Sequence, residues 1–433
     1  MSIYESVNHR IQSKEFRKSL EELYGADAVG AQKERYASLA ERFSQRDAAS
    51  AAGEQLEGEA RFYSAPGRTE LGGNHTDHNH GRVLCAAVDL DAVACVLPRD
   101  NKEAHIVSEG WKDPITVDLS DLEPKEAEKG STAALVRGVA KGLSLRGIEA
   151  RGFDALIQSN VLPGSGLSSS AAIEVLLGQI LSDLAGTTLD PVEIAKIGQF
   201  AENKYFGKPC GLMDQTACAV GGVISIDFAD PERPRVHKVN LDLEGEGYVL
   251  AIVNTGGSHA DLTADYAAVP AEMLAVAEFL GSTCLREVEP SDLVMRGPEI
   301  RKACGDRALL RALHFVGENA RVGAMVDALT EGKLKAYLKL VKKSGDSSWK
   351  LLQNLYPSRT PDEQGLCLAV ALSQDYIGKR GAARVHGGGF AGTIQAYLPR
   401  ELFEGWKALM ERYFGPGSVM PVKIRGKGVT RVL

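Results

Sequence analysis

Hydrophobic and polar residues repeat with two different periods along this chain, and together the two periods predict a mixture of helices and strands. The first sixty residues are charged, with apolar positions at helical spacing in "EFRKSLEELYGAD" and "ERYASLAERFSQRD". A polar stretch of small residues, "SAAGEQLEGEA", follows and is typical of a loop. Short apolar runs then predict strands, among them "GFDALIQSNV", "GGVISIDF", "YVLAIVNTG" and "TIQAYLP".

Two neighbouring apolar runs, "RVLCAAVDL" and "DAVACVLPR", meet at a short acidic stretch and predict a β-hairpin. The segment "SAAIEVLLGQILSDLAG" predicts an amphipathic helix closed by a glycine. Because strands and helices mix without strict β-α-β alternation, the pattern favours an α+β fold. A chain of 433 residues is longer than one hydrophobic core usually supports, so we expect two domains.

Composition excludes several classes of protein. With 44% hydrophobic and 25% charged residues, the chain has the composition of an ordinary soluble protein. Its formal net charge of -7 leaves no basic stripe for a phosphate backbone, so we expect no nucleic acid partner. It has no apolar run of about 20 residues and no apolar signal core, so we expect a cytoplasmic protein without a membrane partner. Its seven scattered cysteines indicate reduced thiols.

The segment "NVLPGSGLSSSAAIEVLL", residues 160–177, carries the strongest chemical signal. A predicted strand leads into a Gly-Ser-Gly turn, and three serines then open the predicted helix. Glycines allow close backbone approach, and the free N–H groups of a helix start attract anions, so the segment predicts a phosphate seat. It carries no lysine after the glycines, unlike the G-x-x-x-x-G-K-[ST] loop. The structural alternative is a glycine turn with a serine-capped helix.

Two further segments add candidate chemistry. In "AENKYFGKPCGLMDQTACAVGG", Asp214 stands in a run of otherwise small and apolar residues, which makes it a candidate general base. The alternative is a carboxylate at a helix end. In "RVHGGGFAGTIQAYLP", three consecutive glycines, Gly387 to Gly389, require a sharp turn or a close contact, and a plain hairpin loop is the alternative.

The stretch "RTELGGNHTDHNHG", residues 68–81, collects histidine, aspartate and asparagine just after two glycines. Short carboxylate, amide and imidazole side chains can pair with adjacent hydroxyls, so the stretch suits a polyol. A metal site built from His75, Asp77, His78 and His80 is the alternative, because histidine is a common metal ligand.

Taken in order, these four segments resemble the galactokinase branch of the GHMP small-molecule kinases, from about residue 60 to the end of the chain. The resemblance implies a two-domain GHMP kinase fold. Its N-terminal domain would be like the second domain of ribosomal protein S5, and its C-terminal domain would be ferredoxin-like. We therefore expect an additional helical segment over residues 1–60, packed on a first domain over 61–230, and a second domain over 231–433.

The resemblance also implies roles for individual residues. Asp214 is expected to be the catalytic aspartate with Arg68 beside it, and Ser170 and Glu202 are expected to bind Mg²⁺. The expected ATP-binding loop comprises Gly164, Ser165, Gly166, Leu167, Ser168, Ser169 and Ser170, and the expected sugar-binding residues are Asn74, His75, Thr76, Asp77, Gly211 and Tyr266. Tyr266 is assigned because it follows His259 by the family's seven-residue step.

The activity that the resemblance implies is transfer of the γ-phosphate of ATP to the anomeric hydroxyl of galactose, with Mg²⁺, by a monomer or weak homodimer. Asn74 and His78 stand where the family has glutamate and tyrosine. This departure raises a second hypothesis, a kinase for another sugar, amino sugar or polyol. A third hypothesis is a non-catalytic sensor of sugar and ATP, against which the intact serine run and Asp214 argue.

Overall fold

The computed structural model describes residues 3–49, 59–109, 113–161, 166–257 and 262–433, and these residues form two β-sheets covered by helices. The predicted α+β class is confirmed. Most of the predicted loop "SAAGEQLEGEA" lies outside the described residues. Within the described ranges, no helix combines the length and the apolar character needed to cross a membrane.

The first sheet holds eight of the described strands, in the order β12-β1-β2-β5-β3-β4, with β6 also paired to β2 and β7 paired to β6. These strands are β1 (Arg61–Gly72), β2 (Arg82–Pro98), β3 (Glu103–Ser108), β4 (Ile115–Asp118), β5 (Phe153–Ser159), β6 (Val223–Asp227), β7 (Arg235–Val239) and β12 (Thr430–Arg431). Four helices bury their apolar faces against one side of this sheet: α4 (Thr132–Ser144), α5 (Ser169–Leu184), α6 (Pro191–Ala201) and α7 (Met213–Val220).

The predicted hairpin at the acidic stretch is wrong, because residues 82–98 form the single strand β2. Its first half pairs with β6 and its second half with β5, while β1 runs along its other edge. The acidic residues do not turn the chain because each carboxylate has a partner in place. Asp89 accepts the backbone N–H of Lys423 at 2.8 Å, and Asp91 is buried among arginines.

The second sheet has the order β11-β8-β10-β9, with β8 (Tyr248–Asn254), β9 (Ala382–His386), β10 (Thr393–Pro399) and β11 (Val419–Val422). Helices α13 (Gly365–Ile377) and α14 (Phe403–Phe414) pack on it. The chain between β8 and α13 forms α8 (Thr263–Phe279), α9 (Pro290–Met295), α10 (Gly297–Cys304), α11 (Asp306–Thr330) and α12 (Leu334–Ser347). The four predicted strands named above correspond to β5, β6, β8 and β10.

A shared apolar core joins the two sheets. Leu84 of β2, Met325 of α11, Ile252 of β8 and Tyr397 of β10 belong to one buried cluster. The residues between the sheets therefore fix the position of one relative to the other. The division at residue 230 stays a prediction; β7 at 235–239 pairs within the first sheet, and the last strand, β12, returns to it.

Three N-terminal helices, α1 (Ile3–Ile11), α2 (Lys14–Tyr24) and α3 (Val29–Ala49), pack on β1, β2 and β5. Beneath them lies the buried carboxylate of Asp91, which accepts hydrogen bonds from Arg35 at 2.7 Å, Tyr24 at 2.6 Å, Arg425 at 3.0 Å and Ser64. Burial raises the pKa of the Asp91 carboxyl, but the charges of Arg35 and Arg425 lower it by more. The net pKa is therefore lowered, and the carboxylate stays ionised. This cluster ties the N-terminal helices to the first sheet and to the C-terminal tail.

Removing one cation from this cluster should destabilise the whole protein. We expect Arg35→Met to lower the free energy of unfolding by about 3 kcal/mol, because a fully buried carboxylate loses a partner. Arg17→Met is the matched control, since Arg17 pairs with Glu21 on an exposed helix face and should cost less than about 0.5 kcal/mol. Urea unfolding of both variants measures the difference, and equal losses would contradict the anchoring role of Asp91.

Candidate active site

An ion pair between Arg68 and Asp214 lies at the centre of the candidate site. Arg68 projects from β1, just after a shift of register between Pro66 and Arg68. Asp214 lies in the first turn of α7. The Arg68 guanidinium donates two hydrogen bonds to the Asp214 carboxylate, from Nε at 2.7 Å and from Nη2 at 2.6 Å. Its third nitrogen donates to the Gly166 carbonyl. The arrangement holds Asp214 in one orientation.

The charge of Asp214 follows from its surroundings. Burial raises the pKa of its carboxyl, but the charge and hydrogen bonds of Arg68, joined by the Ser168 hydroxyl, outweigh burial and lower it. Asp214 is therefore ionised at neutral pH. Its side chain keeps a solvent-accessible fraction of 30%, so the carboxylate is open to a ligand in the cavity.

The glycine and serine segment leads into α5 as the sequence predicts. Ser168 has a left-handed backbone with a φ of 59°, which is uncommon for a residue with a side chain. Its hydroxyl donates to Asp214 and does not cap α5. The N–H groups of the first turn, with Ser169 and Ser170 at its start, therefore have no side-chain cap from Ser168, as an anion seat requires. Gly164 and Ser165 lie outside the described residues.

The two inner residues of this loop are packed closely. A side chain on Gly166 would place its Cβ 2.4 Å from the Thr393 hydroxyl, so the position requires glycine. Leu167 turns its side chain into the core that joins the sheets, and its carbonyl accepts the Arg68 backbone N–H at 3.0 Å. Leu167 therefore positions the loop, while Gly166 and the three serines line the cavity.

A cluster of oxygen atoms lies beside the serines. The Ser170 hydroxyl is 3.1 Å from Glu202, and Gln215 donates at 2.9 Å to both Glu202 and the buried Glu174. Burial and the neighbouring Glu202 charge raise the pKa of Glu174. One oxygen of Glu174 is buried without a hydrogen-bond partner. Hard oxygen donors are what Mg²⁺ prefers, so these residues fit the ion.

The second sheet supplies the opposite wall. The glycine turn, Gly387 to Gly389, connects β9 to β10 as a hairpin and also lines the same cavity as the serines, so both interpretations of this segment hold. His386, just before the turn, is buried between Thr69 and Thr393, with a ring nitrogen 3.0 Å from each hydroxyl. Burial and the nearby arginines lower the pKa of His386, so its ring is neutral.

The side chains of Asn74 and Thr76 are fully buried inside the protein, and their expected contact with the sugar stays a prediction. Asn74 donates to the Gly387 carbonyl at 2.6 Å and to Glu70 at 3.2 Å, and it accepts from Asn354 at 2.8 Å. The Thr76 hydroxyl lies 2.8 and 2.7 Å from two backbone carbonyls of its own turn. A residue type suited to a polyol is equally suited to a buried hydrogen-bond network, and sequence alone does not separate the two.

Of the other four expected sugar-binding residues, His75 and Tyr266 line the cavities of the site, and Asp77 and Gly211 lie against each other. His75 donates from Nε2 to the Gly388 carbonyl at 2.9 Å, and Tyr266 donates from its hydroxyl to Gly389 at 2.8 Å. Asp77 approaches Gly211 so closely that a Cβ on the glycine would lie 2.1 Å from the carboxylate. His259, from which the position of Tyr266 was counted, lies outside the described residues.

The four groups of the alternative metal site do not converge. His75 is bound to the glycine turn, Asp77 lies against Gly211, His78 is exposed, and His80 faces the Cys284 thiol at 3.6 Å. Within the described ranges, no three His, Cys, Asp or Glu side chains form a group that could hold a metal ion.

Two cavities meet at this site. The first, of about 230 Å³, is hereafter the phosphate cavity; it is lined by Arg68, Asp214, the serines and the glycine turn. The second, of about 1060 Å³, is hereafter the acceptor cavity; His75, His78, Pro270 and Leu274 are among the residues that line it. Tyr266 and Lys208 line both, so the cavities are adjacent.

Sequence reasoning missed Glu174, Lys208 and His386 as residues of the site. Glu174 lies in an otherwise apolar helix, and nothing near it in the sequence indicates that it shares the Gln215 amide with Glu202. Lys208 could have been found, since it is the nearer of two lysines that precede Asp214 in the segment with the candidate base. His386 directly precedes the three glycines, which is a usable signal for a residue next to the phosphate cavity.

Comparison with known proteins identifies the family of this chain. Residues 134–222 match the family described as "GHMP kinases N terminal domain", and residues 51–98 match the "Galactokinase galactose-binding signature". A galactokinase of Glaesserella parasuis serovar 5 (strain SH0165) is 32% identical over 347 residues, which cover 80% of this chain and 87% of the relative.

Solved structures show the same fold. The crystal structure of Lactococcus lactis galactokinase complexed with galactose superposes with a TM-score of 0.75 at 25% identity, covering 90% of this chain and all of the other. Methanococcus jannaschii mevalonate kinase superposes with a TM-score of 0.61 at 16% identity over 85% of this chain and 99% of the other, which shows the shared fold alone. Because a relative above 30% identity is matched over most of both chains, this protein belongs to the galactokinase family of the GHMP kinases.

Proposed function

We propose that this protein transfers the γ-phosphoryl group of Mg-ATP to the anomeric C1 hydroxyl of galactose, giving galactose 1-phosphate and ADP. The observation that carries the proposal is the Arg68–Asp214 pair at the edge of a phosphate cavity that adjoins a larger acceptor cavity. Family membership and the galactose-bound relative support the choice of sugar.

The residues divide the work between the two substrates. The triphosphate lies against the amides at the start of α5 and the glycine turn, with Ser168, Ser169 and Ser170 offering hydroxyls. The sugar lies on the side of His75 and Tyr266, which line the acceptor cavity, and the family resemblance adds Asp77 and Gly211, which lie against each other. Ser170 and Glu202 would hold Mg²⁺, which when bound neutralises charge on the phosphate oxygens.

Asp214 acts on the hydroxyl that attacks. Its carboxylate accepts a hydrogen bond from the C1 hydroxyl and takes the proton as the new O–P bond forms and the bond to the β-phosphate oxygen breaks. A carboxylate with a lowered pKa is a weak base, but a loose transition state needs little proton removal before transfer. Arg68 keeps Asp214 ionised and pointed at the acceptor.

Asn74 and Thr76 contribute indirectly in this account. Asn74 donates a hydrogen bond to the Gly387 carbonyl. It therefore sets the distance between the turn at residues 74–77 and the glycine turn that lines the phosphate cavity. Thr76 closes the turn that presents His75 and Asp77. These are positioning roles, because both side chains are fully buried and neither is among the described residues that line the two cavities.

One observation favours a second candidate acceptor. The acceptor cavity, at about 1060 Å³, extends past the turn at residues 74–77 to α8, where Pro270, Ala271 and Leu274 form an apolar wall. A galactose derivative with an added acyl group, such as N-acetylgalactosamine, would fill more of this space. We therefore propose galactose as the acceptor and an amino sugar of the same configuration as the alternative.

The test is ADP release from Mg-ATP with galactose, N-acetylgalactosamine, glucose, mannose, arabinose and inositol. We expect turnover on galactose above the others.

We expect Asp214→Asn to lower kcat by about 10³-fold, because the variant cannot accept the proton, while its affinity for ATP changes by less than about twofold. A circular dichroism melt of the variant checks that the fold is kept. Retention of more than a tenth of the wild-type rate by Asp214→Asn would remove Asp214 from the proton-accepting role.

Loss of Arg68 should change the pH profile and not only the rate. In Arg68→Gln the carboxyl of Asp214 keeps its burial but loses the cation that lowers its pKa, so that pKa rises. The carboxylate then becomes protonated at higher pH than in the wild type, and the acidic limb of kcat moves upward by about one to two pH units. Rates measured between about pH 3 and pH 8, a range that includes the acidic limb of the wild type, test this. A uniformly lower profile with an unmoved limb would contradict the electrostatic role of Arg68.

The Mg²⁺ assignment makes a separate prediction. Glu202→Gln removes a negative oxygen donor, so the Mg²⁺ concentration for half-maximal turnover should rise about tenfold or more. Glu193→Gln, on the exposed face of the preceding helix, is the matched control and should behave as the wild type. The same Mg²⁺ dependence in both variants would count against Glu202 as a ligand.

A further inference from the structure

Lys208 stands where the phosphate cavity and the acceptor cavity meet, and it lines both. Its ammonium lies 3.2 Å from Glu202 Oε1, and its side chain is 63% exposed. The residue follows a π-helical turn over Glu202–Phe206 and a left-handed Gly207 with a φ of 85°, and Pro209 follows it. A turn of this kind is a departure from regular helix that is frequent at functional sites.

The other cations of the phosphate cavity are already engaged. Arg68 uses all three of its nitrogens, two on Asp214 and one on the Gly166 carbonyl. His386 is buried between two threonine hydroxyls and is neutral. Among the described residues that line the phosphate cavity, Lys208 is therefore the one whose positive charge can move to a ligand.

Phosphoryl transfer needs that charge. A transferring phosphoryl group spreads negative charge over its oxygens, and P-loop proteins meet it with a lysine of the loop itself. The glycine-rich segment here carries no such lysine. Lys208 pairs with the buried carboxylate of Glu202 while its own side chain stays 63% exposed, so its ammonium is open to a ligand in the cavity.

We propose that Lys208 contacts the γ-phosphoryl oxygens of the bound nucleoside triphosphate and supplies the cation that the glycine-rich loop lacks. The ammonium has three donors, so it can exchange or share the Glu202 oxygen and reach the phosphate on its flexible four-carbon stem. The inference deepens the proposed kinase function, on which it rests for the direction of transfer, and it is independent of which sugar is the acceptor.

The experiment compares Lys208→Met with Lys208→Arg and with Lys204→Met. Lys204 is exposed on the same π-helical turn and is not among the described residues that line the phosphate cavity, so it is the matched control. Calorimetric titration with a non-hydrolysable ATP analogue and with ADP, both with Mg²⁺, measures binding without any sugar. Steady-state kinetics on galactose gives kcat and KM.

We expect Lys208→Met to weaken binding of the triphosphate analogue about tenfold while ADP binding changes by less than about twofold, because only the analogue has a γ-phosphate. Its kcat should fall about tenfold or more with an unchanged KM for galactose. Lys208→Arg should recover most of both losses, and Lys204→Met should match the wild type.

Three results would overturn the proposal. They are equal weakening of ADP and the triphosphate analogue, no weakening of either, and a raised KM for galactose with unchanged kcat, which would place Lys208 on the sugar. Absence of wild-type turnover on galactose would instead contradict the proposed function. The ratio of triphosphate to diphosphate binding still decides the role of Lys208 in that case.

Discussion

The ion pair between Arg68 and Asp214 is the contact on which the site depends. A carboxylate held inside a protein is costly unless a cation and hydrogen bonds satisfy it, and here a strand, a loop and a helix meet to do so. The third nitrogen of Arg68 binds the Gly166 carbonyl, and Ser168 takes a left-handed backbone and donates to Asp214. One ionic contact thus places the glycine and serine loop beside Asp214, the proton acceptor in our proposal.

A second set of contacts brings the two sheets to the same place. Asn74, His75 and Tyr266 each donate a hydrogen bond to a carbonyl of the glycine turn, Gly387 to Gly389. The residue types that suggested a polyol site therefore also hold the wall of the phosphate cavity. In our account the turn at residues 74–77 couples the sugar side to the nucleotide side through the backbone.

Sequence alone predicted the parts of the site that depend on local chemistry. Asp214 and the serines at the start of α5 lie together as expected, since glycines, a helix start and an isolated carboxylate are visible in short segments. Arg68 was expected beside Asp214 only from the resemblance to the family. The burial of Asn74 was not visible, because it depends on Glu70, Asn354 and Gly387.

The fold shows the same division between local and distant causes. Strands such as Thr393–Pro399 were predicted because an apolar run between turns is a local signal. The hairpin within residues 82–98 was wrong because the partners of the acidic residues come from far along the chain, from Arg35 and from the segment near Lys423 and Arg425. An acidic residue within an apolar run predicts a turn when the distant groups that bind its carboxylate are not known.

The position of the phosphate on the product tests the central claim most directly. Phosphorus and carbon nuclear magnetic resonance of the product from galactose and Mg-ATP identifies the phosphorylated carbon through its coupling to phosphorus. Our account predicts a single phosphate ester on C1, because the proposed mechanism has Asp214 accept the proton of the anomeric hydroxyl. An ester on another carbon, or ADP formed without any sugar phosphate, would contradict it.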